Sequence, residues 1–270
     1  MKLGYIAPIN YLHLIPENET LHLLLAHLLT DKSYVEFYNK KFDRGDTIII
    51  DNGAFEFGKP LSANEIIDLI NKSEVKATYV VAPDYPGKPW QETTEATQQF
   101  IDQFKERGMD KKFKIMAVPH SITGDWMGWI KGYQCLTEMK EVKIIGMSIL
   151  GVPNAFCTLT GTSDIAFNRI FATAYLKENN LVAKDIWHHY LGLGDPRELV
   201  MQDLLGVADS NDSSSAIWHG ILGISYDSSA GGLLKGKNTT EVNFNLEYTD
   251  KNLAAIKYNT KRLRDWAGHE

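Results

Sequence analysis

The sequence has only two cysteines, Cys135 and Cys157, among its 270 residues. They provide neither a disulfide framework nor the paired spacing of a zinc site, and a reducing compartment is the simplest interpretation. No apolar run approaches the roughly 18 residues of a membrane-spanning helix. Residues 1–8 also lack the long apolar stretch and the small-residue cleavage site of a secretion signal. We therefore expect a cytoplasmic protein.

An excess of basic residues is also missing, because 28 lysines and arginines face 34 aspartates and glutamates, for a net charge of −6. This balance argues against a uniformly basic nucleic-acid-binding surface, although it leaves a local basic groove open. No G-x-G-x-x-G follows the first predicted strand, which counts against a dinucleotide-binding sheet. We find no internal repeat and no linker that would divide the chain.

The most informative stretch covers residues 47–58, TIIIDNGAFEFG. Its β-branched run is too short for a helix and is typical of a strand buried on both faces. Asp51, Asn52 and Gly53 follow where the chain must turn, and Phe55 comes shortly after. Parallel α/β enzymes present catalytic groups in this way, at the carboxyl end of a strand. A simple turn in which Asp51 caps the next helix explains the same residues, so this segment alone leaves both interpretations open.

Strand-like and helix-like segments alternate along the chain, mostly at a spacing of roughly 30 residues. The predicted strands cover residues 2–7, 47–50, 77–82, 113–118, 142–149, 185–193, 207–215 and 217–224. Residues 18–30 predict a helix, because their leucines recur at helical spacing. The sequence therefore predicts an α/β fold, a single-domain (β/α)8 TIM barrel over residues 1–270, with an open doubly wound sheet as the alternative.

On a barrel, the residues that end the strands converge on one pocket. The ionisable residues at the predicted strand ends are Asp51, Asp84, His120, Asp209 and Asp212. Grouped carboxylates can bind a divalent metal, accept hydrogen bonds from the N–H edge of a purine, or act as nucleophile and general acid/base. These acids come singly from different strands, without an H-x-H or H-x-x-E pattern. We therefore expect neither a metal nor a cofactor.

Two pairs of side chains in the sequence carry atoms that could bind a metal. His188 and His189 are adjacent on a predicted strand, so their rings point to opposite faces and cannot both enter the pocket. Glu19 and His22 lie one helical turn apart in the predicted helix and would supply only two ligands. Structural packing is the favoured interpretation of that pair.

Six segments form an ordered set of motifs over about residues 45–215. They are residues 51–55 (DNGAF), 81–84 (VAPD), 115–120 (IMAVPH), 146–151 (GMSILG), 190–199 (YLGLGDPREL) and 209–213 (DSNDS). In this order they resemble motifs of the tRNA-guanine transglycosylase superfamily. Its members are (β/α)8 barrels that exchange guanine for a 7-deazaguanine base.

The resemblance implies a role for each matching residue. Asp212 matches the nucleophile that attacks C1′ of the nucleoside, and Asp51 matches the general acid/base. Asp84 would accept hydrogen bonds from the base, and Phe55 would stack on its face. The full set of implied base-binding residues is Asn52, Phe55, Asp84, His120, Gly146, Met147, Ser148 and Tyr190.

The chain also departs from the family pattern. It lacks the family's C-x-C-x-x-C zinc site, because it has only two cysteines. His120 stands where the family has a glutamine, and Asn211 stands where it has a phenylalanine. The family's methionine is either replaced by Leu191 or deleted. The chain is also shorter than the tRNA-modifying members. These departures favour the short phage-type relatives, which insert a preQ0-like 7-deazaguanine into DNA in the cytoplasm of the host.

The expected partners are DNA with a flipped or single-stranded guanine and a free 7-deazaguanine base. Residues 227–245 predict a mobile loop, and residues 250–267 predict a C-terminal helix. These two segments contain the candidate phosphate contacts, which are Lys235, Lys237, Lys257, Lys261, Arg262 and Arg264. A solvated helix face explains the basic residues of the helix equally well.

Several alternatives remain open at this point. One is a tRNA-guanine transglycosylase, and another is a nucleoside hydrolase on the same barrel with water as the acceptor. A third is a non-catalytic nucleic-acid-binding partner subunit, although such a subunit has no need for both Asp51 and Asp212. A homodimer and helper proteins that open the duplex are compatible with the sequence.

Overall fold

The computed structural model describes residues 1–226 and 252–268, and in it eight parallel strands close into a barrel. The strands follow one another around the barrel in chain order, and β1 pairs with β8 to close it. They are β1 (Lys2–Tyr5), β2 (Leu21–Leu24), β3 (Thr47–Ile50), β4 (Tyr79–Val81), β5 (Lys114–Ala117), β6 (Val142–Ser148), β7 (Trp187–Leu191) and β8 (Ser210–Ser213). The predicted (β/α)8 fold is confirmed, and the closure excludes the open doubly wound sheet.

Helices alternate with the strands. The α-helices are α1 (Lys32–Asp43), α2 (Ala54–Phe57), α3 (Ala63–Ser73), α4 (Trp90–Glu106), α5 (Trp126–Glu138), α6 (Gly151–Thr160), α7 (Ile165–Glu178), α8 (Arg197–Leu205), α9 (Ser215–Ile221) and α10 (Leu253–Trp266). Side chains cap several of them, as in the reciprocal capping box of Ser62 and Glu65 at the start of α3. No helix within residues 1–226 and 252–268 is both long and apolar enough to cross a membrane.

The helix predicted over residues 18–30 is wrong. The strand β2 lies there instead, between β1 and β3, and a single 3₁₀ turn (Ala26–Leu28) follows it. All four residues of β2 are buried. A barrel strand is covered on both faces, so it shows no alternation of polar and apolar residues, and its leucines give the composition of a helix.

The strand predicted over residues 217–224 is also wrong, because most of that segment belongs to the helix α9. The eighth strand is β8, inside the polar segment predicted over residues 207–215. The side chains of Ser210, Asn211, Asp212 and Ser213 are all buried in it. Buried polar residues in a barrel strand need partners and indicate a site.

The amino-terminal end of the barrel is filled by two aromatic rings. Tyr79 begins β4 and Trp187 begins β7, and their rings meet edge to face with centroids 6.0 Å apart. These two strands are not neighbours in the barrel, so the rings meet across its interior. The ammonium groups of Lys2 and Lys114 lie over the Trp187 and Tyr79 rings at 5.2 Å and 5.9 Å. Packed side chains therefore close this end of the barrel.

The predicted mobile loop over residues 227–245 lies outside the described residues. The predicted C-terminal helix is confirmed as α10, apart from residues 250 and 251, which are not described. The helix α10 packs on α9 and closes the outer layer next to β8 and β1. Tyr5 of β1 donates a hydrogen bond to the carbonyl of Thr260 in α10 at 3.0 Å.

Candidate active site

A cavity of about 680 Å³ opens at the carboxyl ends of the strands. Its volume lies in the range of small-molecule sites, roughly 300–1,000 Å³. Its apolar side chains include Ile6, Leu23, Leu25, Val81, Val118, Ile149, Leu150, Ile165, Leu191 and Leu193. An apolar wall of this kind favours burial of the apolar part of a small organic ligand.

Carboxylates supply the ionisable groups of the cavity. Six acids line it, namely Asp51, Glu56, Asp84, Asp164, Asp195 and Asp212. No lysine or arginine with a described side chain, a set that leaves out Arg197, contributes to its wall. Such a cavity repels anions and favours ligands that present N–H donors or positive charge.

Asp51 is the first residue after β3, as the sequence predicts. Its Oδ2 accepts a hydrogen bond from the N–H of Gly53 at 2.9 Å. Gly53 has a φ of 76°, and a Cβ there would lie 2.7 Å from the Phe57 ring, so the turn needs glycine. Burial, followed by the charges of Glu56 and Asp84, raises the pKa of Asp51 from 3.8 to about 8. The side chain therefore holds a proton at neutral pH and can donate it.

Asp84 follows β4 and is held at both carboxylate oxygens. The amide nitrogen of Asn52 donates a hydrogen bond to Oδ1 of Asp84. The same nitrogen also donates to the carbonyl of Ala82, at 2.7 Å. His120 contacts Oδ2 through Nε2. Each carboxylate oxygen has a second lone pair, so Asp84 can still accept from a ligand in the cavity.

His120 is almost fully buried and does not line the cavity, although the resemblance implies a base contact for it. It lies behind Asp84 and orients that carboxylate. Asn52 lines the cavity and also orients Asp84. The structure therefore places Asn52 at the site and His120 one layer away from it.

Asp212 of β8 is only 2% exposed, yet it lines the cavity. Its Oδ1 accepts a hydrogen bond from the N–H of Gly192 at 3.1 Å and lies 3.0 Å from Nε2 of His189. Nδ1 of His189 lies 2.7 Å from the hydroxyl of Ser210. The contact between His189 and Asp212 was missed from the sequence, because the two residues are 23 positions apart.

One signal in the sequence pointed to this contact. The alternation of a strand places one ring of the His188–His189 pair inside the barrel. In the structure that ring is His189, whereas His188 points outward and lies 2.8 Å from the hydroxyl of Tyr133 in α5. The register of β7 and β8 was needed to show what the inner ring meets.

Three further implied base contacts do not line the cavity. The hydroxyl of Tyr190 lies 2.6 Å from that of Thr173 in α7, so this side chain faces the helices. Met147 pairs in register with Tyr190 and is fully buried. Gly146 lies deeper in the barrel, where a Cβ would collide with Met116 and Val118. Side chains alternate across a strand, so consecutive residues of one motif cannot all face the site.

Besides Asn52 and Asp84, two implied base contacts face the cavity. Phe55 lies at the rim and is 63% exposed, which leaves its ring free to stack on a ligand. Ser148 ends β6, and its hydroxyl accepts hydrogen bonds from the N–H groups of Leu150 and Gly151. The start of α6 is therefore anchored beside the cavity.

The basic residues of α10 have different surroundings. Arg264 donates to Oε1 of Glu19 at 2.6 Å, and Glu19 precedes β2 at the amino-terminal side of the barrel. Arg262 lies over the Trp266 ring at 4.9 Å. Arg264 is thus paired with a buried carboxylate, and a phosphate contact for it stays a prediction. Lys257 and Lys261 are exposed, whereas Lys235 and Lys237 lie outside the described residues.

The Glu19–His22 pair does not form a common site. Glu19 pairs with Arg264, and Nε2 of His22 lies 2.9 Å from Asp46. Within the described ranges, no three or more histidine, cysteine, aspartate or glutamate side chains are grouped to hold a metal ion.

The chain is a (β/α)8 barrel with an acid-lined cavity at the carboxyl ends of its strands, an arrangement that is common among enzymes. No protein-family model and no curated protein matches the chain. The family resemblance therefore stays a prediction from the motifs.

Proposed function

We propose that this protein is a base-exchange glycosyltransferase. It would replace guanine in DNA with a preQ0-like 7-deazaguanine through a covalent aspartyl–sugar intermediate. The observation that carries the proposal is that Asp212 and Asp51, the two acids such a reaction needs, line the same cavity in different environments. Asp51 has a pKa raised to about 8, whereas Asp212 is held by two hydrogen bonds on one oxygen.

In the first step, Oδ2 of Asp212 attacks C1′ of the deoxyguanosine. The C1′–N9 bond breaks, its electron pair goes to the departing guanine, and the protonated Asp51 gives its proton to that base. A carboxylate nucleophile and a general acid are thereby both used, and Asp51 is left ionised.

In the second step, the incoming 7-deazaguanine gives its N9 proton to Asp51. N9 then attacks C1′, the bond between C1′ and Oδ2 breaks, and its electron pair returns to Asp212. Both acids end in their starting states, so neither a cofactor nor an oxidant is consumed. This is a ping-pong course with two displacements at C1′.

Recognition of the base rests on Asp84, Asn52 and Phe55. A guanine edge presents N1–H and an exocyclic amine, and a buried carboxylate that is already held in place accepts such donors without reorganising. A base without these donors leaves the carboxylate unpaired, which discriminates strongly. The exposed ring of Phe55 offers a stacking face at the rim.

The charge of the cavity limits how DNA can approach. The ionised carboxylates among the lining acids repel phosphates, so the base and its sugar enter while the sugar–phosphate backbone stays outside. A guanine inside a duplex cannot reach such a cavity, and the nucleotide must be flipped out or single-stranded. The exposed Lys257 and Lys261 of α10 remain candidate phosphate contacts.

The test is intact mass spectrometry of the protein incubated with guanine-containing single-stranded DNA, and in parallel with tRNA. An adduct on the wild type that is absent from Asp212→Ala is the expected result. Asp203→Ala, in the exposed part of α8, is the control and keeps the adduct. If neither nucleic acid gives an adduct, the proposal fails. Repeated release of guanine, beyond one equivalent per enzyme and without added base, would assign hydrolysis instead of exchange.

A further inference from the structure

Below the cavity, three polar side chains contact one another in a row inside the barrel. It runs from Ser210 through His189 to Asp212, with contacts of 2.7 Å and 3.0 Å. All three side chains are at most 2% exposed. The interior positions around Gly146, the register partner of His189, are apolar and include Met116, Val118 and Leu191. Polar groups buried in such surroundings cost free energy unless they are paired or used.

The chemistry of the acid fixes the direction of one hydrogen bond. An ionised carboxylate only accepts, so Nε2 of His189 must carry a proton to bond Oδ1 of Asp212. In a neutral imidazole with its proton on Nε2, Nδ1 accepts a hydrogen bond from the hydroxyl of Ser210. The serine then holds this tautomer, as second-layer groups set the tautomers of metal-bound histidines.

We infer that His189, held by Ser210, is the positioning residue for the nucleophile Asp212. This inference rests on the proposed function. His189 and the N–H of Gly192 together hold Oδ1, and no hydrogen bond from the described side chains and backbone, which leave out the side chain of Arg197, reaches Oδ2. The arrangement therefore selects Oδ2 as the attacking oxygen and fixes its direction.

The same two donors act in both steps of the reaction. When Oδ2 bonds to C1′, Oδ1 becomes the carbonyl oxygen of the ester and keeps both hydrogen bonds. When the incoming base displaces the ester, negative charge returns to the carboxylate, and donors that are already in place stabilise it.

A packing role alone would give a different pattern of effects, and the chain offers a matched control. His188 is the adjacent residue, equally buried and also hydrogen-bonded, but it faces the helices through Tyr133. Replacing either histidine removes a buried hydrogen bond. Only replacement of His189 removes a donor from Asp212.

The experiment measures the rate of adduct formation with single-stranded DNA under single-turnover conditions. We expect His189→Ala to lower this rate about 100-fold, the effect of removing one preorganised donor. His189→Gln keeps an N–H donor of similar reach and should recover about tenfold of that loss. Ser210→Ala should lower the rate about tenfold, because the tautomer is no longer held. His188→Gln should leave the rate within about twofold, since it does not reach the nucleophile.

The outcomes separate the two proposals. A wild type without adduct overturns the proposed function, and this inference with it. A wild-type adduct whose rate is unchanged in His189→Gln and Ser210→Ala overturns the inference alone, even if His189→Ala fails to fold. Equal losses in the His188 and His189 variants would also overturn it.

Nitrogen-15 NMR of histidine-labelled protein gives a readout that does not depend on turnover. We expect the His189 signals to show a proton on Nε2 and an unprotonated Nδ1. The Nε2–H proton resonance should move upfield in Asp212→Ala, because its acceptor is gone. A proton on Nδ1 with a bare Nε2 would overturn the inference.

Discussion

The two ends of the barrel are built from the same eight strands but differ in what fills them. The amino-terminal end is closed by Tyr79 and Trp187, whose rings meet across the interior beneath two lysine side chains. The carboxyl end holds an open cavity lined by six carboxylates. One end is closed by rings that pack on each other, whereas the other leaves acids facing a space that a ligand can enter.

The two ends of the barrel therefore differ in whether their side chains favour folding or are available for chemistry. Aromatic packing and cation–π contacts contribute to the free energy of folding. Buried carboxylates cost free energy, and a chain retains them where they serve a ligand or a reaction. In (β/α)8 barrels the amino-terminal end is associated with stability and the carboxyl end with catalysis. Substitutions at the two ends should therefore affect different measurements.

The largest effect is expected for Asp212→Ala at the carboxyl end. Loss of the nucleophile should lower the rate of base exchange about 10⁴-fold or more. The melting temperature should not fall by more than a few degrees, because a buried charge is removed together with its two hydrogen bonds. Exchange of radiolabelled guanine into DNA and a thermal melt measure the two quantities. Near-normal exchange in this variant would remove Asp212 from the mechanism.

The next largest effect is expected for Asp51→Asn. Without a proton donor for the leaving base, the rate of adduct formation should fall about 10²–10³-fold. In the wild type the same rate should decline as the pH rises above about 8, where Asp51 loses its proton. A wild-type rate that stays flat between pH 7 and pH 10 would contradict this role.

Asp51→Asn should also change stability in a pH-dependent way. The pKa of Asp51 is about 8 in the folded protein, against 3.8 for the ordinary group. As the pH rises from about 4 to about 8, the unfolded chain ionises first, so the wild type loses stability over this window. The variant should melt at the same temperature as the wild type near pH 4 and at a higher temperature at pH 8. An equal melting difference at both pH values would contradict the raised pKa.

Trp187→Ala tests the other end of the barrel. Loss of a partly buried ring and of its contacts with Tyr79 and Lys2 should cost about 3 kcal/mol of unfolding free energy. The folded fraction should keep its rate of adduct formation, because the ring lies at the end opposite the cavity. Urea unfolding and the single-turnover rate measure the two effects, with Trp187→Phe as the milder control. A large loss of rate in well-folded protein would show that the two ends are coupled.

The smallest effect is expected for Glu56→Gln. The charge of Glu56 is the second largest cause that raises the pKa of Asp51, after burial. Its removal should shift the alkaline decline of adduct formation to lower pH by about one unit. The pH profile of the single-turnover rate measures this shift, and Glu65→Gln, in the capping box of α3, should leave the profile unchanged.

The sequence could predict much of the fold, because strands such as β3 carry their own signal in a short β-branched run followed by turn residues. The segments that became β2 and α9 were assigned wrongly. Both are short and wholly buried, and without an exposed face a strand and a helix have the same apolar composition. Only pairing with β1 and β3 decides that residues 21–24 are extended.

The candidate site was predicted in part for a similar reason. Acids at strand ends are visible in the sequence, and Asp51, Asp84 and Asp212 do line one cavity. The side to which a motif residue points is not visible, so Tyr190 and Met147 were grouped with residues that face the opposite way. From the sequence, Arg264 was a candidate phosphate contact. In the fold it pairs with Glu19, which is 245 residues away in the chain.

By itself, the sequence determined that acids follow buried strands, because apolar runs and turn residues act over a few neighbouring positions. The tertiary structure decided what those acids meet. The register of β7 and β8 brings the ring of His189 within hydrogen-bonding distance of Asp212. The closeness of Glu56 and Asp84 in a buried site raises the pKa of Asp51. The first effect joins residues 23 positions apart, and the second depends mainly on burial, so both are set by the closed barrel.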